Sequence, residues 1–141
     1  MEEKYKAKSL SLSPLVDDVG ATVKFRDDHV HVRLGKDMMV SSEQRNLLWE
    51  RIARVCEEHG SRRVLVEGRA PKGVFQTSEV IDAGLKTATV PKLWMALCFE
   101  DFEPDELSEL YETVAASRGV RVKHFSNTQA ALRWLRNNSP R

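Results

Sequence analysis

The apolar residues of this chain follow two different spacings in turn, and this alternation constrains the fold more than any other feature. Short segments are apolar at every second position or throughout, as β-strands are, whereas longer segments repeat apolar residues at intervals of three and four, as helices do. After an initial pair of strands, the two kinds of segment alternate along the sequence. This order predicts parallel crossover connections and therefore an α/β fold.

Five segments have the character of strands, namely residues 22–26, 29–34, 64–66, 93–99 and 120–125. The Asp27-Asp28 pair between the first two suits the turn of a β-hairpin. The third and fourth are apolar throughout, which is typical of strands covered on both faces. The fifth is more polar, which favours a place near an edge of the sheet.

Four segments have helical spacing, with starts predicted at Ser41, at Thr77 or Ser78, at Glu103-Pro104-Asp105-Glu106 and at Ser126. Ser41 and Ser126 each precede a glutamine by three residues, the spacing of a capping box. The expected buried stripes are Leu47, Leu48, Ile52, Val55 and Cys56 in the first helix and Val80, Ile81, Leu85 and Ala88 in the second. Trp49 falls beside its stripe and is expected to be partly exposed, while Gly84 weakens the second helix.

The length of 141 residues fits one domain with a core of its own. We expect residues 21–137 to form a mixed, mostly parallel sheet that begins with a β-hairpin and has four helices packed on it. Residues 1–20 are interpreted as an N-terminal arm and residues 138–141 as a polar tail.

Composition narrows the classes of partner. Apolar residues make up 41% and charged residues 30% of the chain, and the formal net charge is +1, so neither nucleic acid nor an anionic membrane surface is an expected partner. Cys56 and Cys98 lie within apolar patterns and are interpreted as reduced core thiols. No signal peptide or membrane-spanning segment is predicted, which favours a cytoplasmic location.

The last two strand–helix segments of the sequence resemble those of a known family. The sequences LWMALCFEDFEPDELSELYETVAASRGV and RVKHFSNTQAALRWL, with the first helix and the VLVEG strand, resemble the STAS superfamily, in particular its SpoIIAA-like (STAS/SEC14-like) branch, over about residues 22–136. In anti-sigma factor antagonists of the wider family, a serine at the start of the second helix is phosphorylated and switches binding to a partner kinase. The resemblance places that switch at Thr77 or Ser78, and it implies no cofactor or substrate.

The residues around Thr77 and Ser78 allow two interpretations. A phosphate at a helix start is favoured by the helix dipole and free N–H groups, but serine and threonine also serve there as plain N-caps. Arg69 and Lys72 are candidates to hold an anion, with an ordinary solvated loop as the alternative. Phe75 and Gln76, which precede the helix, complete the candidate binding residues.

Metal binding and nucleophilic catalysis have less support in the sequence. His29 and His31 share one side of a strand with Asp27 and Asp28 nearby, but no third ligand is placed beside them, so no metal site is predicted and the histidines are expected on the solvated face. The sequence contains no G-x-S-x-G elbow, and Cys98 lies in an apolar strand that disfavours a thiolate. No catalytic residue is predicted.

Three functions follow in order of support. The first is a non-catalytic interaction or regulatory module with a protein partner, switched at the start of the second helix. The second is a carrier or sensor of a small apolar or amphipathic ligand, held in a cavity under the second helix. The third is a small enzyme. A homodimer formed through the edge of the hairpin is a further open alternative.

Overall fold

The described residues fold into a five-stranded β-sheet flanked by four helices, which confirms the α/β class predicted from the alternating segments. The computed structural model describes residues 21–35, 42–69, 76–100 and 103–137. In chain order the elements are β1 (Ala21–Arg26), β2 (His29–Leu34), α1 (Ser42–His59), β3 (Arg63–Arg69), α2 (Thr77–Thr87), β4 (Trp94–Glu100), α3 (Glu106–Ser117), β5 (Arg121–His124) and α4 (Thr128–Asn137). The predicted arm, the polar tail and Ser41 lie outside the described residues.

The strands lie in the sheet in their order along the chain, from β1 to β5. β1 and β2 form the predicted antiparallel hairpin, with Asp27 at a positive φ of 50° in its turn, and every later pair is parallel. Because each crossover moves one strand further in the same direction, the right-handed rule places α1, α2 and α3 on one face. The order of the described strands does not reverse, so these five strands form no switch-point crevice of the kind where doubly wound folds bind ligands.

The face that carries α1, α2 and α3, here called the three-helix face, holds the larger core. Its strands contribute Val30, Val32, Val64, Val66, Met95 and Leu97, which pack against Trp49, Ile52 and Cys56 of α1 and Ala115 of α3. These strand residues occupy alternate positions, so their side chains point to the same face of the sheet. Within this layer, α2 packs mainly against α3.

The opposite face, here called the α4 face, has a smaller core. Leu65 and Ala96 of the sheet pack against Ala131 and Leu135 of α4, and these four side chains are almost fully buried. An aromatic cluster of Trp94, Phe125 and Trp134 borders them, with the rings of Trp94 and Trp134 5.0 Å apart. Helices on both faces explain the continuous apolar runs at residues 64–66 of β3 and 94–99 of β4.

Two expectations about α1 are wrong. Trp49 is buried, whereas Leu47 is 39% exposed. The buried residues Trp49, Ile52 and Cys56 are spaced by three and four, so they form one line along the helix. Leu47 precedes Trp49 by two residues, which turns its side chain to the other side of α1.

The starts of α2 and α4 also differ from the prediction. The N-cap of α2 is Gln76, whose backbone N–H donates to Glu79 Oε1 at 2.9 Å, so neither Thr77 nor Ser78 is the cap. At α4, Asn127 Oδ1 accepts the backbone N–H of Ala130 at 2.8 Å in place of the expected Ser126. Adjacent residues in both segments are able to cap, and the path of the chain into the helix selects one of them.

Gly84 has a packing role. A Cβ at this position would lie 2.7 Å from Cγ1 of Val114, so the glycine allows α2 to approach α3 closely. One turn further along, the buried Thr87 hydroxyl lies 2.6 Å from Tyr111 Oη, and burial raises the pKa of Tyr111 to about 12. Close contact with α3 thus offsets the low helix propensity of glycine.

Candidate functional site

The start of α2 presents the residues singled out in the sequence. Gln76, Thr77 and Ser78 are all exposed on the first turn. Arg69 ends β3, and its Nε lies 3.6 Å from Glu100 Oε1, so a carboxylate already engages this predicted anion-binding cation. Lys72 and Phe75 lie outside the described residues. The structure therefore groups three of the six predicted residues and pairs a fourth with an acidic neighbour.

A stripe of two polar and two apolar residues extends from this first turn along α2. Ser78, Ile81, Asp82 and Leu85 are spaced by three, four and seven residues, so they lie on one flank of the helix and are here called the α2 stripe. Ile81 is 38% exposed and Leu85 39% exposed. Asp82 Oδ2 lies 3.7 Å from Arg45 Nη2, which shows that this flank borders α1.

The exposure of Ile81 and Leu85 corrects the prediction that both lie in the buried stripe of the second helix. Gly84 and Thr87 face α3 instead and are the buried residues of α2. The sequence signal was ambiguous because apolar residues occur on two sides of this helix. The glycine, which marks the closest contact, was the informative residue.

A second polar group lies on the α4 face, where His29 and His31 are only 6% and 4% exposed. Their expected position on a solvated face is therefore wrong. His31 Nε2 lies 2.6 Å from Glu67 Oε1, and the Thr128 hydroxyl donates to the other oxygen of Glu67. Glu67 thus joins a buried histidine of β2 to the first residue of α4.

The turn of the hairpin makes an analogous connection at the other end of α4. His29 Nδ1 lies 2.9 Å from Asp28 Oδ1, and Arg136 Nε donates to Asp28 Oδ2 at 3.0 Å. Arg63 Nη1 lies 3.8 Å from the same carboxylate oxygen. Asp28 therefore links the hairpin, β3 and the last turn of α4.

Burial and hydrogen bonds determine the protonation states of His31, Glu67 and Asp28. Burial lowers the pKa of His31, so its ring is neutral at neutral pH. Burial alone would raise the pKa of Glu67, but hydrogen bonds from Thr128 and His31 bring it below its ordinary value. The hydrogen bond from His29 is the largest cause of the lowered pKa of Asp28. With Glu67 ionised, His31 donates through Nε2–H, and its buried Nδ1 has no hydrogen-bond partner among the residues that the structure describes.

The same geometry bears on metal binding and nucleophilic chemistry. One nitrogen of each histidine is held by a carboxylate, and in the part of the chain that the structure describes no three His, Cys, Asp or Glu side chains are placed to hold a metal. Burial raises the pKa of Cys56 to about 11, which keeps this thiol protonated. Cys98 is half-buried, and its Sγ lies 3.8 Å from Thr128 Oγ1.

Among the clefts lined by described residues, two lie at opposite ends of the parallel strands. The larger, of about 690 Å³, opens beside the amino ends of the parallel strands and is lined by Asp28, Ala53, Cys56, Glu57, Arg62, Arg63 and Val90, among others. The smaller, of about 330 Å³, lies at the carboxyl ends, where Glu100 sits between Arg33 and Arg69. Neither cleft is lined by Val80, Ile81 or Leu85, the residues expected around a cavity under the second helix.

Comparison with models of known protein families finds no match, and no curated protein matches the chain. None of the described helices is long and apolar enough to cross a membrane.

Proposed function

We propose that this chain is a non-catalytic interaction or regulatory module that binds a protein partner through the α2 stripe. The observation that carries the proposal is the pair of large apolar side chains, Ile81 and Leu85, exposed in line with Ser78. Two aligned apolar residues on an exposed helix flank suit a partner that packs on that helix. The proposal also draws on the STAS resemblance, in which the start of this helix is the regulated surface.

The position of Ser78 supports regulation by modification. Its side chain is exposed in the first turn of α2, where a phosphate would be favoured by the helix dipole. A phosphate there would also place about two negative charges at one end of the α2 stripe, next to Asp82. A partner that buries Ile81 would have to desolvate that charge, so modification is expected to release it.

A comparison of captured partners tests the proposal. The tagged chain and its variants are expressed in the source cells, and the proteins that co-purify are quantified. We expect Ser78→Asp and Leu85→Gln each to lose the same partner, while Ser78→Ala retains it. Leu47→Gln is the matched control, because Leu47 has the same exposed fraction as Leu85 but lies on the outer side of α1. Retention of every partner by Ser78→Asp and Leu85→Gln would reject the proposal.

A second candidate is a carrier of a small amphipathic ligand, and the 690 Å³ cleft favours it. This volume lies within the range of small-molecule sites, and the lining combines apolar side chains with the guanidinium groups of Arg62 and Arg63. Native mass spectrometry of the protein purified from its cells tests this function. A bound mass that disappears in Ala53→Trp, which fills the cleft, supports a carrier, whereas a ligand-free mass for the wild type contradicts it.

A further inference from the structure

Both ends of α4 are tied to the sheet by carboxylates that also hold buried histidines. At the first residue of the helix, Glu67 accepts hydrogen bonds from Thr128 and His31. In its last turn, Arg136 donates to Asp28, which also binds His29. The proposed partner binding does not use any of these groups.

Most of the charges around His31 are positive. Lys24 is its direct cross-strand neighbour, and Arg26 of β1 and Arg33 of β2 occupy alternate positions on the same face. Further polar groups surround His31 and its neighbours on the α4 face. From the strands and the hairpin turn these are Asp28, His29, Arg63, Glu67 and Cys98, and from α4 they are Thr128 and Arg136. Among the described residues, Glu67 is the carboxylate bonded to His31, whereas Asp28 binds His29. Glu100 lies 4.0 Å from Arg33. An added positive charge on His31 is therefore paired directly with Glu67 alone among these residues.

Protonation would also change the hydrogen bonds of His31. The added proton occupies Nδ1, which is buried and has no acceptor among the described residues. An imidazolium in this position leaves a charged N–H unpaired, which is costly inside a protein. The ring gains hydration by moving towards solvent. Glu67 binds His31 through Oε1 and Thr128 through Oε2, so a carboxylate that moves with the charged ring withdraws the acceptor of Thr128 at the first residue of α4.

We propose that His31, Glu67 and Thr128 form a pH-sensitive latch, which releases the amino-terminal end of α4 from the sheet when His31 is protonated. Burial lowers the pKa of His31 in the folded state, so a state in which the ring is exposed to water would bind a proton more tightly. Release exposes Leu65 and Ala96 on the α4 face. The core of the three-helix face contains neither residue and stays folded.

Hydrogen exchange read by mass spectrometry tests the latch. The wild type is compared at about pH 7.5 and about pH 5.5, on either side of the ordinary histidine range, with rates corrected for intrinsic exchange. We expect protection of the segment 128–137 to fall, by at most about tenfold per pH unit for one coupled proton. Segments of α1 and α3 are expected to keep their protection.

Two histidine variants separate the latch from general acid sensitivity. His31→Gln places a neutral amide donor near the position of Nε2, so we expect α4 to stay protected at both pH values. His124→Asn is the matched control, since His124 Nδ1 lies 2.5 Å from Glu112 Oε2 on the other face, and its α4 is expected to respond as the wild type does. The proposal is overturned if wild-type α4 keeps its protection at the lower pH, if His31→Gln responds like the wild type, or if all elements lose protection together.

A titration of the unaltered protein avoids dependence on the folding of the variants. Nuclear magnetic resonance follows the ring signals of His31 and the backbone amides of α4 across the same pH range. We expect the α4 amides of residues 128–131 to shift with the midpoint of His31. Amides that titrate with a different midpoint, or do not shift, would also overturn the proposal.

Discussion

The helices α2 and α4 occupy opposite faces of the sheet and differ in how their side chains are engaged. α4 is short, yet Thr128 and Arg136 tie its two ends to carboxylates of the sheet and turn, and Ala131 and Leu135 are buried beneath it. α2 packs closely on α3 at Gly84 but leaves large apolar side chains exposed on its other flank. The polar side chains at the ends of α4 therefore contact the sheet and the hairpin turn, whereas the apolar side chains on one flank of α2 are exposed to solvent.

The two helices therefore have different roles in this domain, since the contacts of α4 stabilise the fold and the exposed flank of α2 is available for binding. The polar contacts of α4 fix where the helix lies, and they involve groups that change charge with pH. The exposed flank of α2 adds little to the stability of the fold, because exposed apolar residues gain little from folding. We therefore expect substitutions in α4 to change stability and substitutions in the α2 stripe to change binding.

The largest expected effect comes from the core beneath α4. Leu135→Ala removes a side chain that is 1% exposed and is expected to lower the free energy of unfolding by about 2 to 5 kcal/mol. Urea denaturation measures this change. Leu132→Ala, at a half-buried position of the same helix, is expected to cost less. Equal losses for the two variants would show that α4 does not bury Leu135 as described.

A smaller loss is expected at the contact between α2 and α3. Gly84→Ala gains helix propensity, but its Cβ would lie 2.7 Å from Val114 Cγ1, so we expect a net loss of about 1 to 2 kcal/mol. A double-mutant cycle with Val114→Ala checks the cause, since a smaller residue at 114 makes room for the new methyl group. A stabilised Gly84→Ala variant would contradict the close approach of the two helices.

Acidification is expected to reduce stability through His31. Its pKa in the folded protein lies below the ordinary value of 6.5, so the unfolded chain takes up the proton first and stability falls as the pH drops below that value. The slope for this residue is at most about 1.4 kcal/mol per pH unit. Urea denaturation at a series of pH values measures it. His31→Gln should flatten the slope, whereas His124→Asn should leave it in place.

The smallest effect on stability is expected in the α2 stripe. Ile81→Gln and Leu85→Gln replace exposed side chains and should each change the free energy of unfolding by less than about 0.5 kcal/mol. The same variants should lose the captured partner. Thermal melting and partner capture, measured on the same preparations, check both halves of this prediction. A large loss of stability would place these residues in the core rather than on a binding surface.

Much of the fold follows from local patterns. The alternation of strand and helix, the turn at Asp27-Asp28 and the start of α3 at Asp105 are all set by neighbouring residues, and each was predictable. The inner positions of β3 and β4 followed from the continuous apolar runs at residues 64–66 and 93–99. The edge position of β5 followed from its more polar alternation.

The candidate sites depend on contacts that local patterns do not contain. Glu67 and Thr128 are 61 residues apart, and only the return of α4 to the sheet brings them together. The prediction that His29 and His31 face solvent assumed a sheet with one covered face. The exposure of Leu85 likewise depends on which side of α2 meets α3, which the spacing of its apolar residues alone did not decide.

Site-specific photo-crosslinking tests the central claim most directly. A photoreactive amino acid replaces Leu85 in one variant and Leu47 in another, and both are irradiated in the source cells. If the α2 stripe is the binding surface, position 85 forms a covalent adduct with a discrete protein, Ser78→Asp abolishes that adduct, and position 47 forms none. An adduct at position 47 alone, or one at position 85 that persists with Ser78→Asp, would contradict a switched binding surface on α2.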